Sequence, residues 1–86
     1  MTVRYLVQDL FRIQGRGSVA TGLLLEGVIS AGDVLTVAGT SNQVRISFVD
    51  FHSRQTQEGL LVGLQIHPED AAAVTAGSTL VTVGSP

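Results

Sequence analysis

Residues 50–54, Asp50-Phe51-His52-Ser53-Arg54, bring a carboxylate, an imidazole, a hydroxyl and a guanidinium close together in the chain. If Val49 and Phe51 face a core, then Asp50, His52 and Arg54 line the opposite side of a strand, because alternate residues share a face. Such a stripe could grip a sugar hydroxyl, a terminal ester or a partner carboxylate. The competing reading is an ordinary solvated stripe. Asp50 and His52 supply two potential metal ligands where three or four are needed, and His67 is expected on another strand. Asp50, His52 and Ser53 lie too close together on one strand for an acid to orient a base that reaches a nucleophile. The sequence therefore predicts no catalytic set, no metal site and no cofactor. Arg16, flanked by Gly15 and Gly17, is the remaining candidate; at a hairpin tip it could contact phosphate, or simply serve the turn.

The elements that must position these residues are strands. Glycines recur at short intervals, and between them lie runs rich in Val, Ile, Leu, Thr and Phe, which predicts strands at about 3–14, 18–26, 33–39, 43–52, 59–67 and 79–83. In the first, Val3, Tyr5, Val7, Phe11 and Ile13 share one parity, while Arg4, Gln8 and Arg12 share the other, so one face is expected to be buried. Leu23-Leu24-Leu25 places Leu24 on the face opposite its neighbours, predicting one large apolar side chain that points away from the core or into a second interface. In the fourth strand Val44 and Ile46 require one parity and Val49 and Phe51 the other. A β-bulge near Ser47 and Phe48 reconciles them.

Turns are expected at Gly15-Arg16-Gly17, at Ser30-Ala31-Gly32-Asp33 and from Ala38 to Asn42, with the Asp33 side chain bonding nearby backbone. Residues 68–74, Pro-Glu-Asp-Ala-Ala-Ala-Val, have the proline and acids of a helix start and predict a connector of one or two turns. Without a helix long enough for a crossover, neighbouring strands must pair antiparallel, in a barrel or sandwich.

The 86 residues suffice for one small domain, which buries only roughly 60% of its unfolded surface. Charged residues make up 14% of the chain, well below the roughly 25% of an average soluble domain. Five arginines, no lysine and seven acids give a net charge of −2, which argues against an extended nucleic-acid groove. Absence of cysteine excludes disulfides and thiolate zinc sites. No apolar run approaches the roughly 20 residues of a membrane span, and Arg4, Gln8 and Asp9 interrupt any signal-peptide core. A cytoplasmic location is expected.

The run Phe11-Arg12-Ile13-Gln14-Gly15-Arg16-Gly17-Ser18-Val19-Ala20-Thr21-Gly22, followed by Gly27, Val28, Ile29, Gly32, Asp33 and Leu35, resembles the second domain of elongation factor Tu and related translational GTPases. The similarity extends more thinly through Val49-Asp50-Phe51-His52, Gln57-Glu58-Gly59, Val62-Gly63 and Ala76-Gly77 to Leu80. It implies an all-β, six-stranded antiparallel closed barrel with one short helical turn, as a single domain over 1–86. It also implies a non-enzymatic binding module whose partner is RNA, with the tRNA acceptor end as the family's example, or a protein.

In that family a Glu and an Arg on the fourth strand help hold the aminoacyl end. Asp50 takes the place of the first and Ser53 that of the second, with Arg54 one residue later. The loop before Val62-Gly63 is shorter than the family's by about two residues. Only ten residues precede the matching run, and no lysine exists to reach a nucleotide phosphate; GTP binding is not expected. The alternative function is a structural or assembly role, a homo-oligomer formed through apolar faces such as that carrying Leu24.

Overall fold

β-branched and aromatic residues at alternate positions favour extended chain with one face buried, and six such segments form strands: β1 (Arg4–Ile13), β2 (Gly17–Glu26), β3 (Val34–Val37), β4 (Gln43–Gln55), β5 (Leu60–Ile66) and β6 (Thr79–Thr82). The computed structural model describes residues 3–13, 17–57 and 59–82, with side chains at all of these except 13, 17, 50–55 and 71. Every pairing is antiparallel, and the strands close into a barrel in the order β1-β2-β5-β4-β3-β6. The expected fold class and strand positions are borne out. The expected hairpin tip at residues 14–16, including Arg16, lies outside the described residues.

Tyr5, Leu64, Ile66, Val44 and Leu80 are fully buried at the barrel centre, drawn from four different strands. Tyr5 brings a polar atom with it, and its hydroxyl donates to the Val62 carbonyl at 2.6 Å. Burial pushes the phenol above its ordinary range, because low dielectric disfavours the anion. Among the described side chains no buried polar atom lacks a partner.

Residues 68–73 form a 3-10 helix rather than an α-helix, and it is anchored electrostatically. Asp70 accepts from both the backbone N–H and the Nε of Arg45, each at 2.9 Å, while Glu69 accepts from Arg45 Nη2 at 3.0 Å. The acids at the start of the helix thus clip it to β4. As expected, the Asp33 carboxylate accepts from the Ser30 N–H at 2.8 Å, closing a turn in which Gly32 holds φ +93°, a conformation that disfavours any side chain. Gly22 is required for a different reason. A Cβ there would overlap the Leu6 carbonyl oxygen across the β1–β2 pair.

Three irregularities set which residues face outward. On β4, Ile46 opposes Ile66 while Phe48 opposes Gln65, so Ser47 is an extra residue; the expected bulge is there, and it returns Val49 to the core at 4% exposure. On β1, Val7 opposes Gly22 but Asp9 opposes Thr21, making Gln8 an extra residue too. The expectation that Phe11 shares the buried face of Tyr5 and Val7 is thereby corrected. The bulge inverts the parity, so Leu10 packs against the core and Phe11 is 56% exposed. On β2, Leu24 packs against the core, whereas Leu25 is an extra residue beside the Arg4–Glu26 pair and is exposed. The exposed apolar residue is Leu25, not Leu24; Leu23, of opposite parity to Leu24, is covered at 5% exposure.

Candidate functional site

β3 and β6 have four residues each, whereas β1, β2, β4 and β5 have seven to thirteen. The four longer strands lie side by side and make a continuous outer surface that wraps half of the closed barrel, from β1 on one side to β4 on the opposite side. Their registers align its residues in three cross-strand rows. The first runs Phe11, Val19, Gln65, Phe48; the second Asp9, Thr21, Gly63, Asp50; the third Leu6, Leu23, Leu61, Arg54. Three strand spacings, about 14 Å measured along the curved sheet at some 4.8 Å per strand, separate the ends of each row, so the β1 and β4 residues of a row point outward on opposite sides of the barrel.

Phe11 and Phe48 are both 56% exposed, at opposite ends of the first row, and the residues between them are half-buried Val19 and Gln65. In the middle row Gly63 carries no side chain and Thr21 a short one, which leaves a shallow centre between larger groups. Leu23 in the third row is covered while its neighbour Leu61 stays 36% exposed. Leaving two phenylalanine rings half in water forfeits part of the stabilisation their burial would bring, on the order of 1 kcal/mol each. A surface of this kind is suited to stacking and apolar contact rather than to gathering phosphates.

The candidates Asp50, His52 and Arg54 all lie on the β4 strand at the rim of this face, and their side chains lie outside the described ones. Asp50 stands opposite Gly63 and Arg54 opposite Leu61, so four steps along β4 match two along β5. The ladder is therefore irregular through His52, and the simple alternation from Asp50 to Arg54 does not hold at the backbone. Arg16 falls outside the described residues. Phe11 and Phe48 were missed as surface residues by the sequence reading. The signal for Phe48 was present in the bulge that the β4 parity demands, while nothing in β1 distinguished Leu10 from Phe11 as the inward residue.

Charge on the described surface is mostly spoken for. Arg4 pairs with Glu26 at 3.5 Å, and Arg45 pairs with Glu69 and Asp70. Hydrogen bonds to the two acids hold the Arg45 guanidinium more firmly protonated than usual, and the hydrogen bond from Arg45 depresses the Asp70 carboxyl. His67 Nδ1 accepts from the Glu69 N–H at 3.2 Å and lies 3.3 Å from Arg45 Nη2. Two donors facing one ring nitrogen mark it as the acceptor, so the neutral ring carries its proton on Nε2. Arg12 is exposed and takes part in no ion pair among the described residues. Among those residues no group of three or more His, Cys, Asp or Glu could hold a metal ion, and no helix is long and apolar enough to cross a membrane.

A search among solved structures finds this closed barrel inside larger proteins of translation. Nearly the whole chain, 99%, superposes on translation elongation factor SelB from Methanococcus maripaludis in its apo form, with a TM-score of 0.76 and 23% identity. The fold is that of a translation-factor barrel. A bacterial selenocysteine-specific elongation factor, EF-Sec, matches over 94% of the chain with a TM-score of 0.72 and 24% identity. The chain spans only 19% and 14% of these two proteins, so the likeness covers one barrel within each. No protein-family model matches the sequence.

Proposed function

We propose that the chain is a non-catalytic binding module, a translation-factor barrel that presents the outer face of β1, β2, β5 and β4 to an RNA or a protein partner in the cytoplasm. The observation that carries this reading is the first cross-strand row. Two of the chain's three phenylalanines stand exposed at its ends, on opposite sides of the barrel, so that each is a separate aromatic anchor in a protein with no tryptophan and little charge. An exposed aromatic side chain on a strand can stack an unpaired base, and it equally supplies the anchor of a protein interface. Asp50 and Arg54, at the β4 ends of the other two rows, add hydrogen-bonding chemistry of the kind that suits a sugar hydroxyl or an ester at an RNA end. Such a module does not bind GTP itself, since it has no lysine to reach a phosphate.

Titration with aminoacylated tRNA and with uncharged tRNA tests the RNA branch. Phe48→Ala is expected to cost about 1–3 kcal/mol of binding, the worth of one base stacked on an aromatic ring. Asp50→Ala and Arg54→Ala should weaken the aminoacylated form selectively. Binding indifferent to all three substitutions would remove the outer face from consideration, and no binding to either RNA would leave a protein partner.

The exposed Leu25 and Leu61 favour self-association as a second reading. A sedimentation series over a wide range of protein concentrations separates it from the first. A stable dimer that dissociates on Leu61→Ser would support assembly.

A further inference from the structure

The barrel is closed by short strands, and this leaves part of β1 without a neighbour. β6 pairs with Arg4, Tyr5 and Leu6, and Val7 still exchanges backbone bonds with Ser78 and Gly77 at 2.8 Å. Beyond Val7, from Gln8 to Arg12, β1 bonds to β2 on one side, and among the described residues nothing pairs with its other side. Successive strand residues direct their N–H and C=O groups alternately to the two edges, so this side offers a row of donors and acceptors to water or to another strand.

Side chains along the segment set what such a strand must be. Asp9 and Phe11 share the outer face, and both are exposed; Arg12, also exposed, has the opposite parity. The extra residue at Gln8 and the charges at Asp9 and Arg12 discourage indiscriminate edge pairing. They also code for a complement.

We infer that Gln8–Arg12 is a docking edge for an extended, charge-complementary protein segment, which adds to the barrel as an antiparallel strand. Read from its N-terminus, the segment places an acid opposite Arg12, a β-branched or aromatic residue against Phe11, any strand former opposite Leu10, and a Lys or Arg opposite Asp9. Backbone bonds to the open edge supply the affinity, and the three side-chain positions supply the choice of partner. A second copy of the chain meets the code poorly. A twofold axis normal to the sheet pairs residues of equal parity, so Asp9 and Arg12 could not face each other across it. This edge goes beyond the outer-face reading above; it shares Asp9 and Phe11 with two of the rows but stands apart from Phe48, Asp50 and Arg54 on β4, so variants at those three β4 residues let either reading fail without the other.

The test uses the synthetic peptide Thr-Glu-Tyr-Thr-Lys-Val-Thr, acetylated and amidated, titrated into the labelled protein to about 1 mM, where even a weak complex is appreciably populated. Saturable shifts of backbone amides confined to Gln8–Arg12, with slowed hydrogen exchange of those facing the edge, are expected. Exchanging Glu and Lys in the peptide should weaken binding roughly two- to fivefold, as should Phe11→Ala in the protein. Asp9→Lys alone should level the preference between the two peptides, and Asp9→Lys combined with Arg12→Glu should reverse it. Replacing the central Thr by Pro should abolish binding. Equal binding of the Pro peptide, no shifts on this edge at the highest concentration, or occupation of the edge by a second copy in sedimentation would each overturn the inference. RNA titrations with Asp50→Ala and Arg54→Ala report separately on the outer face.

Discussion

Tyr5 is the chain's single tyrosine, and its position makes it an internal reporter of folding. Its ring is fully buried, its hydroxyl bonds to the Val62 carbonyl, and burial raises its pKa. Because the folded value lies above the unfolded one, the phenol's contribution to stability is complete below the unfolded value of about 10 and is lost as pH rises beyond it. Phenolate absorbance is therefore expected to appear together with unfolding in alkaline solution, as one cooperative step. A phenolate titrating ahead of the loss of β-sheet circular dichroism would show the hydroxyl reaching solvent. Tyr5→Phe should cost about 1–3 kcal/mol in urea denaturation at neutral pH, from the lost hydrogen bond. Gly22 is the complementary case, a residue needed for what it lacks. Gly22→Ala forces the β1–β2 pair apart at Leu6 and should destabilise by about 2–4 kcal/mol, whereas Gly39→Ala meets no neighbour and disturbs only its turn.

The elements show how little sequence a short helix needs when a partner holds it. The 3-10 helix Pro68–Ala73 has no length to stand alone, and the Arg45 side chain bonds to both of its acids. Arg45→Ala is expected to speed hydrogen exchange throughout the helix while leaving β1 and β2 protected. Unchanged exchange there would mean that the apolar contacts of Val74 hold the segment without the ion pairs. The depressed Asp70 carboxyl adds a pH signature. Its contribution is present above the unfolded value of about 4 and fades as pH falls through and below it, and Asp70→Asn should remove that acid dependence. Strand positions were legible at this scale because periodicity and glycine spacing report them directly. The β4 bulge was legible as well, since Val44, Ile46 and Val49 cannot all face inward on a regular strand. The β1 bulge was not, because Leu10 and Phe11 are adjacent apolar residues and either could have faced the core; the register against β2 decided it.

Across the whole molecule, a net charge of −2 and only five arginines, of which Arg4 and Arg45 are committed to ion pairs, limit how many phosphates the barrel can neutralise. Any RNA complex is accordingly expected to show a shallow salt dependence, weakening by much less than the 10³–10⁵-fold, on the order of magnitude, that 6–10 phosphate contacts lose between 50 and 200 mM salt. A steep slope shared by tRNA and generic duplex would point instead to a backbone groove. The sequence by itself determined the all-β class, the six strands, the antiparallel pairing, the turn role of Asp33 and the likeness to a translation-factor barrel, because each follows from local periodicity, turn chemistry or residues matched in register. It also named Asp50, His52 and Arg54, which share β4. Only the tertiary structure decided which residues turn outward and which align across the strands. Phe11 and Phe48 are 37 positions apart in the chain, and the row that joins them depends on three successive pairings and two bulges. A one-residue shift in any of those registers sends a side chain to the other side of the sheet, and a register is settled by the packing of the whole core rather than by any one strand.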